Sequence, residues 1–569
     1  MATLPLRDLG EIGVITDINP YALPANAFSK ALNVVFDENR VQRAPLFKQL
    51  FPAIRSTLSY NDSVGSYDAS SGTYDAATGT PSSSARFVSS YADPSFGETV
   101  LVCDNDGTVR TYPNAQLAFA SPGDGLVTNE EPWSHAQVAG LSFLARKGMR
   151  PYVRNVKTDS AYSLIAGDWV TTHSASVVRG YLDYCLMLNV TKGTTEYPTM
   201  VKWCNPIEYS SAVTSVAWDP SNPNYVAGET ILGDMTSPIV DGLPLGNSFI
   251  IYSRDQVWLM EYTGSSFVFN FRKLFPNGGI FNTNCVVEVD GKHFVFGEDD
   301  IYVHDGSTKQ SISDGKVRRR VYNTLNRSKR KACFVMHDSV SNLVYFCYNT
   351  LQDEVSFRNT QFCNQAAVYN YRSNTWSFMD LPNVIGGAES KIDITANTYP
   401  QVDQSYSSYN TSYTSFDGDK PKIAIALGIT DTGNGLTESR VYAVDLPAVN
   451  IVNLPVTAET VKPASVERIG IDLDDTAGLP LRSYKTITGI TPQASFDAAD
   501  DSFEWDFGSA DLPNGTVVYR SSVTFTPSVD YKIDTKVSGR YLAYRVTSNS
   551  LENFRITGFD AEVVSTSRR

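Results

Sequence analysis

The 569-residue chain lacks the residue patterns that most hydrolytic enzymes need. It has only five histidines, His135, His173, His293, His304 and His337, and no two of them form an H-E-x-x-H pair. It also contains no G-x-S-x-G nucleophile elbow and no glycine-rich loop of the kind that holds phosphates. Metal-dependent hydrolysis and serine catalysis are therefore unsupported, and we predict a non-enzymatic protein without a cofactor.

Cysteine is scarce, and its spacing shows no pattern. The seven cysteines are odd in number and include no C-x-x-C pair, which disfavours both a disulfide framework and a zinc knuckle. Several lie inside apolar runs and are predicted to be buried, reduced thiols. They are Cys103, Cys185, Cys204, Cys285, Cys333, Cys347 and Cys363.

Charge is sparse, and basic residues are outnumbered. Charged residues make up 19% of the chain, and 47 Lys and Arg against 61 Asp and Glu leave a formal net charge of −14. A general nucleic-acid coat is disfavoured because such binding depends on many cations that neutralise phosphates. An acidic wall repels a polyanion, so it suits a surface along which DNA slides without sticking.

Long apolar runs are also missing. No stretch reaches the ~18 apolar residues needed to span a bilayer. Residues 1–8 contain no apolar signal segment. We therefore expect a soluble protein that has no membrane span and is not secreted by a standard signal.

Aromatic and apolar residues, in contrast, are plentiful. Hydrophobic residues make up 42% of the chain and aromatic residues 12%, with 31 Tyr and 28 Phe. This composition favours packed strands over helices or disorder. At about 150 residues per domain, relaxed for large β folds, the length predicts two to four domains.

A loose repeat indicates the architecture. Residues 257–264 (VWLMEYTG) resemble residues 301–306 (IYVHDG), the two segments begin 44 positions apart, and each follows an apolar strand. This spacing matches one four-stranded propeller blade of about 40–50 residues. Further copies are residues 109–112, 368–371 and 441–445. Tight turns are indicated at Asp106-Gly107, Asp290-Gly291, Asp305-Gly306 and Asp314-Gly315.

The predicted fold class is all-β: a β-propeller with an additional C-terminal β-sandwich-like domain and an extended N-terminal segment. Blade number is left at six or seven. Residues 56–84, rich in Ser, Gly, Tyr, Asp and Thr, are predicted to form a loop that is exposed or becomes ordered on assembly. Residues 401–416 are also rich in Tyr and Ser and could form either a contact loop or an ordinary solvated loop. The predicted division is 1–55 for the N-terminal segment joining the propeller, 56–85 for a Ser/Tyr/Gly-rich loop, 86–450 for the propeller with an insertion at 393–420, and 451–569 for the C-terminal β domain.

One basic cluster stands out in this acidic chain. The sequence predicts a helix over residues 315–331, because Val317, Val321 and Leu325 fall four residues apart on one face. The cluster could contact DNA phosphate or an acidic partner subunit, or it could form a solvated helix with local salt bridges. Its members are Lys316, Arg318, Arg319, Arg320, Arg327, Lys329, Arg330 and Lys331.

Two acidic runs are candidate cation sites. Residues 104–107 (DNDG) look like the start of a calcium loop, but the later ligand positions are missing, so a hairpin turn is favoured. Asp472, Asp474 and Asp475 fit a strand end and its turn better than a metal site. We predict no metal site in either run.

Segments at both ends and in the middle of the chain together resemble the tail nozzle (tail tubular, or packaged-DNA-stabilising) proteins of short-tailed bacteriophages. The N-terminal segments are residues 13–17, 23–24, 31–36 and 41–43. The middle segments are residues 257–264, 278–279, 299–302 and 316–318. The C-terminal segments are residues 538–545 and 554–560.

The resemblance implies a structural virion protein of the tail, assembled in the bacterial host cytoplasm. It implies a six-fold ring below the portal and its adaptor protein, with outer surfaces that carry tail fibres. It also implies a central channel that retains packaged DNA and conducts it during ejection, without sequence-specific binding. We expect the loops at 56–84 and 401–416 to act as seals or partner contacts.

Two rival functions stay open. A tail-associated propeller enzyme acting on polysaccharide would need a pair of carboxylates at the propeller mouth, and Glu298, Asp299 and Asp300 could supply one. A receptor-binding module would be a trimer with a glycan-contacting aromatic patch.

Overall fold

The structure is a computed structural model whose description covers most, but not all, of the chain. The segments predicted at 393–420 and 401–416 lie outside the described residues, and so does most of the segment predicted at 56–85. The described residues are 2–50, 54–55, 67–68, 73–74, 85–93, 97–104, 109–112, 131–159, 161–208, 216–265, 267–351, 362–391, 422–431, 437–444, 463–474, 483–497, 501–513 and 515–567.

The N-terminal part of the described chain forms short strands and one 3-10 helix, Pro20–Ala22. The strands are β1 (Ala2–Leu6), β2 (Gly13–Val14), β3 (Ala27–Phe28), β4 (Lys30–Leu32), β5 (Val34–Asp37), β6 (Arg40–Arg43), β7 (Phe47–Gln49), β8 (Ile54–Arg55), β9 (Tyr67–Asp68) and β10 (Thr73–Tyr74). Strands β9 and β10 pair as a small antiparallel hairpin.

Seven antiparallel sheets follow one another within the described residues. Sheet 1 contains β11 (Ala85–Asp93), β12 (Gly97–Asp104) and β13 (Val109–Tyr112). Sheet 2 contains β14 (Trp133–Val138), β15 (Leu141–Arg146), β16 (Tyr152–Asn155) and β17 (Ser163–Leu164). Sheet 3 contains β18 (His173–Tyr181), β19 (Tyr184–Lys192), β20 (Thr195–Trp203) and β21 (Gly228–Ile231). Sheet 4 contains β22 (Ile239–Leu245), β23 (Ser248–Ser253), β24 (Val257–Tyr262) and β25 (Phe269–Phe275). Sheet 5 contains β26 (Val286–Val289), β27 (Lys292–Phe296), β28 (Ile301–His304) and β29 (Lys309–Ser311).

The sixth and seventh sheets share one long strand. Sheet 6 contains β30 (Phe334–Asp338), β31 (Leu343–Tyr348), β32 (Cys363–Asn370) and the first half of β33 (Thr375–Lys391). The second half of β33 pairs with β34 (Lys422–Asp431), which pairs with β35 (Thr437–Val444), and these strands form sheet 7. The N-terminal strands β7 and β8 add to β35, so a distant part of the chain completes this sheet.

Buried apolar side chains join each sheet to the next around a closed ring. Val88 of the first sheet packs with Ile425 of the seventh, and Tyr91 of the first packs with Leu144 of the second. Further buried clusters join sheets 2 and 3, 3 and 4, 4 to 6, and 6 and 7. Because the sheets are covered on both faces, strands such as β15 and β31 are buried along their whole length. The fold class is thus confirmed as a β-propeller, with seven blades among the described residues.

The repeated sequence motif marks one structural position. Residues 257–262 form β24 and residues 301–304 form β28, and each is the third strand of its sheet. The further copies begin in β13, β32 and β35, which are also third strands, and residue 445 lies outside the described residues. The repeated motif therefore marks the third strand of a blade.

The C-terminal residues form two further sheets with strands from the N-terminus. The strands are β36 (Ala464–Ile471), β37 (Tyr484–Phe496), β38 (Phe503–Ala510), β39 (Val518–Tyr519), β40 (Val523–Phe525), β41 (Ile533–Gly539), β42 (Tyr541–Ser548) and β43 (Phe554–Ser567). One sheet has the order β41-β37-β43-β6-β5 with β1 also paired to β43. The other places β4 beside β36, followed by β42 and β38. A buried apolar cluster lies between them, as in a β-sandwich.

This arrangement corrects the expectation of a separate C-terminal sandwich. Strand β4 pairs with β36 and also bridges β33 of the sixth blade, at Leu32 and Phe378. The N-terminal segment does more than join the propeller, because its strands complete both C-terminal sheets. A pairing partner hundreds of residues away leaves no local sequence pattern, so composition alone could not reveal it.

The helix predicted over residues 315–331 is wrong in extent. An α-helix, α1, spans Arg318–Thr324, and a 3-10 helix spans Arg327–Ala332. The two are separated at Leu325, whose extended ψ of 123° lets it form a bridge with Thr350. The predicted apolar face is real, since Val317, Val321 and Leu325 are all buried.

Among the described residues, no helix has the length and apolar character needed to cross a membrane.

Candidate functional site

The structure divides the predicted basic cluster between two places. Its first half lies against the N-terminal segment. The backbone N–H of Arg319 donates to Asp17 Oδ2 at 3.0 Å, and Lys316 Nζ donates to the Asn374 carbonyl at 2.9 Å. Burial lowers the pKa of Lys316. The Arg320 guanidinium lies 4.0 Å from the centre of the Phe378 ring. These four basic residues (316 and 318–320) therefore include several groups that hold the N-terminal segment and the sixth blade together.

The second half of the cluster lies at the end of the propeller axis. The 3-10 helix Arg327–Ala332 crosses the rim of a cavity of about 490 Å³, which we call the axial pocket. The rim also carries Arg86 and Glu131. Arg86 lies in β11, the innermost strand of the first blade, and Glu131 lies just before β14, the innermost strand of the second. The innermost strands of the blades form its walls, including β11, β14, β26, β30 and β33. Sequence spacing could not show that Arg86 and Arg330 share one cavity.

Carboxylates meet most of the rim cations. Glu298 contacts both Arg327, at 3.4 Å, and Arg330. Lys331 Nζ lies 2.9 Å from Glu131 Oε1. Within the part of the chain that the structure describes, Lys329 has no ion-pair partner. Among the described residues, the rim therefore carries more cationic than anionic side chains.

A buried ion pair closes the pocket on the axial side. Arg179 of β18 donates to both carboxylate oxygens of Asp241 at 2.9 Å, and the Asp241 side chain is fully buried. Asp241 also accepts the backbone N–H of Asn284 at 2.7 Å, and Arg179 donates to Asn284 Oδ1 at 2.9 Å. Asn284 Nδ2 in turn donates to the Trp133 carbonyl at 3.1 Å. Charges and polar atoms from the second, third, fourth and fifth blades thus bond directly to one another.

This network has a consequence for DNA. The major groove of B-DNA is about 12 Å wide, so the whole duplex is wider still. Where the Asn284 and Trp133 atoms lie 3.1 Å apart across the axis, no duplex fits. Any channel for DNA would therefore have to lie outside the propeller axis.

A second buried polar network lies between the fourth and fifth blades. The backbone N–H of Gly306 approaches His304 Nδ1 at 3.3 Å, and His304 Nε2 lies 2.5 Å from the Tyr252 hydroxyl. That hydroxyl lies 2.7 Å from His293 Nδ1, and His293 Nε2 lies 2.8 Å from the Pro244 carbonyl. Only one hydrogen arrangement satisfies every atom: His304 Nε2–H donates to Tyr252, Tyr252 O–H donates to His293, and both imidazoles are neutral. Burial lowers the pKa of His293 to about 4 and that of His304 to about 3.

The carboxylates that might have served a glycoside-cleaving enzyme have other contacts. Glu298 contacts Arg327 and Arg330, as described above. Asp300 Oδ1 accepts hydrogen bonds from the hydroxyls of Ser311 and Ser313, each at 2.8 Å. Asp299 is exposed and lies 3.7 Å from Arg327. None of the three faces another across the axial pocket.

The acidic runs are met by basic side chains. Asp474 contacts the ammonium of Lys485, whose side chain is fully buried. Asp104 lies 2.9 Å from Arg110, and residues 105–108 lie outside the described residues. In the described part of the chain, no group of three or more His, Cys, Asp or Glu side chains is placed to hold a metal ion.

The cysteine prediction is confirmed, since all seven are free and buried. Burial raises the pKa of thiols such as Cys285 and Cys347 well above the usual range, so they stay protonated.

Neither the buried Arg179–Asp241 ion pair nor the set of hydrogen bonds that joins His293 and His304 through Tyr252 was predicted from the sequence. The available signal was a charge inside an apolar strand, as in residues 175–181 (ASVVRGY) with Arg179 and residues 238–245 (PIVDGLPL) with Asp241. A charged group in such a run is buried, and a buried charge needs a partner. Asp241-Gly242 also resembles a turn, but it lies inside β22 next to a bulge.

Comparisons with known proteins add nothing on function. No protein-family model matches the chain, and no curated protein matches it. Among solved structures, it is similar to the WD40 β-propeller domain of Doa1, with a TM-score of 0.31 and 10% identity over 64% of this chain and 96% of the other. It is also similar to YCF48 bound to D1 peptide, with a TM-score of 0.31 and 10% identity over 68% and 96% of the two chains. At these scores neither likeness supports an argument, and the propeller assignment rests on the strand pairing and on the buried clusters that join the sheets.

Proposed function

We propose that this chain is a structural subunit of the tail nozzle of a short-tailed bacteriophage. Several copies form a ring, with six as the expected number, below the portal and its adaptor protein. The ring retains packaged DNA and conducts it during ejection, and its outer surface carries the tail fibres. The protein acts mechanically and is not an enzyme.

The observation that carries this proposal is the meeting of the segments that resemble nozzle proteins. They come from both ends and the middle of the chain, yet they touch in the fold. The N-terminal segment 41–43 pairs with the C-terminal segment 554–560, with Val41 opposite Ile556. The backbone N–H of Thr16 donates to the Lys316 carbonyl at 2.7 Å, and Arg318 Nε donates to the Asp299 carbonyl at 2.8 Å. Short motifs that form one contiguous junction are better evidence of kinship than the same motifs scattered over a surface.

The closed propeller axis fits the same proposal. A ring subunit needs a rigid body, and the buried Arg179–Asp241 pair fixes several blades relative to one another. DNA would then pass between the subunits, through the centre of the ring. The net charge of −14 favours a lumen along which DNA moves without binding.

A ring also needs two different contact surfaces on each copy, because its contacts are heterologous. Two separate exposed apolar sites meet this need. Leu182, Tyr262 and Phe267 lie on hairpins of the third and fourth blades, and Phe267 is 81% exposed. Val529 and Tyr531 lie between β40 and β41 of the sandwich and are 80% and 81% exposed. We propose that the first site of one copy contacts the second site of the neighbouring copy in the ring.

Native mass spectrometry with negative-stain class averages tests the proposal, on the protein alone and mixed with its adaptor or portal partner. A ring with a central hole is the expected result. Phe267→Ser and Tyr531→Ser should each weaken ring formation, whereas Val340→Ser, at another exposed apolar position on the sixth blade, should not. A monomer or trimer that never forms a ring with these partners would refute the proposal, and glycan-binding and glycan-cleavage assays would then test the two rival functions.

A further inference from the structure

We propose that the axial pocket binds an acidic polypeptide segment of a partner protein, which inserts carboxylate side chains among the rim cations. The proposal goes beyond the nozzle function and does not depend on it. The cavity volume of about 490 Å³ is within the roughly 300–1,000 Å³ range of ligand sites. It is large enough for a few residues of an extended chain.

The charge at the rim is the first argument. Five cations surround the opening: Arg86, Arg327, Lys329, Arg330 and Lys331. In the described part of the chain, three carboxylates contact them: Glu131, Glu298 and Asp299. This excess of positive charge occurs in a chain whose net charge is −14. A concave site lined by charge of one sign attracts ligands of the opposite sign, because its low-dielectric walls focus the field.

The second argument is that a carboxylate already occupies part of the rim. Glu131 lies at the entry to the second blade, and Lys331 lies 200 residues later, beyond the fifth blade. Their 2.9 Å contact therefore joins two different parts of the opening. Glu131 thus shows how a ligand carboxylate would sit against this lysine. A bound acidic segment would compete with Glu131 and would gain Lys329, which has no ion-pair partner in the described part of the chain.

The third argument favours a polypeptide over a nucleic acid. A polynucleotide gains affinity from a long row of phosphates, each neutralised by a cation. The axial pocket is instead short, and the Arg179–Asp241–Asn284 network closes it. The innermost strand of each blade is also an edge strand, and such strands present main-chain groups to which a peptide can bond. An extended acidic peptide uses both the cations and these edges.

Fluorescence anisotropy with the full-length chain tests this proposal at low salt. The probe is a labelled peptide of about eight residues with alternating Glu and Gly. Competitors are the same peptide with Gln in place of Glu, a single-stranded oligothymidylate of equal length, and inorganic phosphate. Thermal melting checks that each variant is folded, and Lys329→Ala replaces Lys329→Glu should the latter be unstable.

Three variants should change peptide binding in three different ways. Lys329→Glu should weaken binding of the acidic peptide by about tenfold, because it reverses a rim charge. Lys292→Glu makes the same charge change on an exposed hairpin of the fifth blade and should leave binding unchanged. Glu131→Gln should strengthen binding severalfold, because it frees Lys331 and removes a repelling carboxylate. A residue with only a structural role would not give this gain.

Four results would overturn the proposal. The acidic peptide does not bind, or it binds equally well to the Lys329→Glu and Lys292→Glu variants. The oligothymidylate binds as tightly as the peptide, which would make the site a nucleic-acid contact. Inorganic phosphate displaces the peptide at equal concentration, which would make it a site for small anions.

Discussion

Lowering the pH from 7.5 to 5 should destabilise the protein through three histidines whose pKa is lowered in the folded state. Burial keeps His293 and His304 neutral, and a ring nitrogen of each bonds to the Tyr252 hydroxyl. His135 is half-buried in the wall of the axial pocket, between the hydroxyls of Ser89 and Ser142, at 2.9 Å from each. Burial, and then the nearby Arg179 charge, lowers the pKa of His135 to about 3. Protonation of His293 or His304 would break a hydrogen bond and place a charge in the core, and protonation of His135 would place a second positive charge near Arg179.

The magnitude follows from the pKa differences. In the unfolded chain these histidines titrate near 6.5, whereas in the folded protein the pKa is about 4 for His293 and about 3 for His304 and His135. Below pH 6.5 the unfolded state therefore binds more protons, so the stabilisation is complete above pH 6.5 and is lost as the pH falls. At about 1.4 kcal/mol per pH unit, each histidine lowers the free energy of unfolding by about 2 kcal/mol between pH 6.5 and pH 5. The three histidines together lower it by about 6 kcal/mol.

Urea unfolding followed by tryptophan fluorescence at several pH values between 7.5 and 5 measures this loss. His304→Phe should reduce the loss by about a third, because one titrating group is gone. Tyr252→Phe removes a hydroxyl but no imidazole, so it should lower stability by about 1–3 kcal/mol while keeping the slope against pH. A free energy of unfolding that changes by less than about 1 kcal/mol between pH 7 and pH 5 would refute the reasoning.

Two further predictions concern buried contacts. Asp241→Ala should cost about 3–5 kcal/mol, because it leaves the Arg179 guanidinium buried without its carboxylate, and the double variant Arg179→Met with Asp241→Leu should recover most of this loss in the same urea assay. Gly279→Ala should destabilise the protein strongly, because a Cβ there would lie 2.0 Å from the Arg254 carbonyl carbon. Gly233→Ala, with nothing within 4 Å of the added Cβ, should change the thermal midpoint little, and equal midpoints for the two variants would contradict this account.

The blade architecture could be predicted because it depends on local pattern. A third strand such as residues 257–262 or 301–304 combines an apolar run with a following turn, and both features appear within a few residues. The Asp290-Gly291 turn was predictable for the same reason, since the hairpin needs positive φ at both positions, which are 51° and 74°.

The composite sandwich could not be predicted in this way. Strand β1 pairs with β43, with Ala2 opposite Val563. Nothing in residues 2–6 indicates which of the many apolar strands will be their neighbour, because strand pairing is set by the whole fold.

The candidate site was only half predictable. The positive charge of residues 327–331 is visible in the sequence, but the cavity beside them is built from the ends of several blades. The extended backbone of Leu325, which separates α1 from the 3-10 helix, depends on its bridge to Thr350. That tertiary contact overrides the helical pattern and sends the two halves of the cluster to different places.

The pairing of β1 with β43 also orders events during synthesis. At about 5–20 residues per second, the ribosome needs roughly 30–110 s to make the chain between these partners. Throughout that time β1 and the free edge of β6 lack their neighbour β43, and Val41 has no partner at position 556. A chain released early, for example by a premature stop codon, would leave β1 unpaired and β6 paired with β5 alone. Such a product would be a target for chaperones and proteases rather than a building block, so completion of the sandwich would act as a check on chain integrity before assembly.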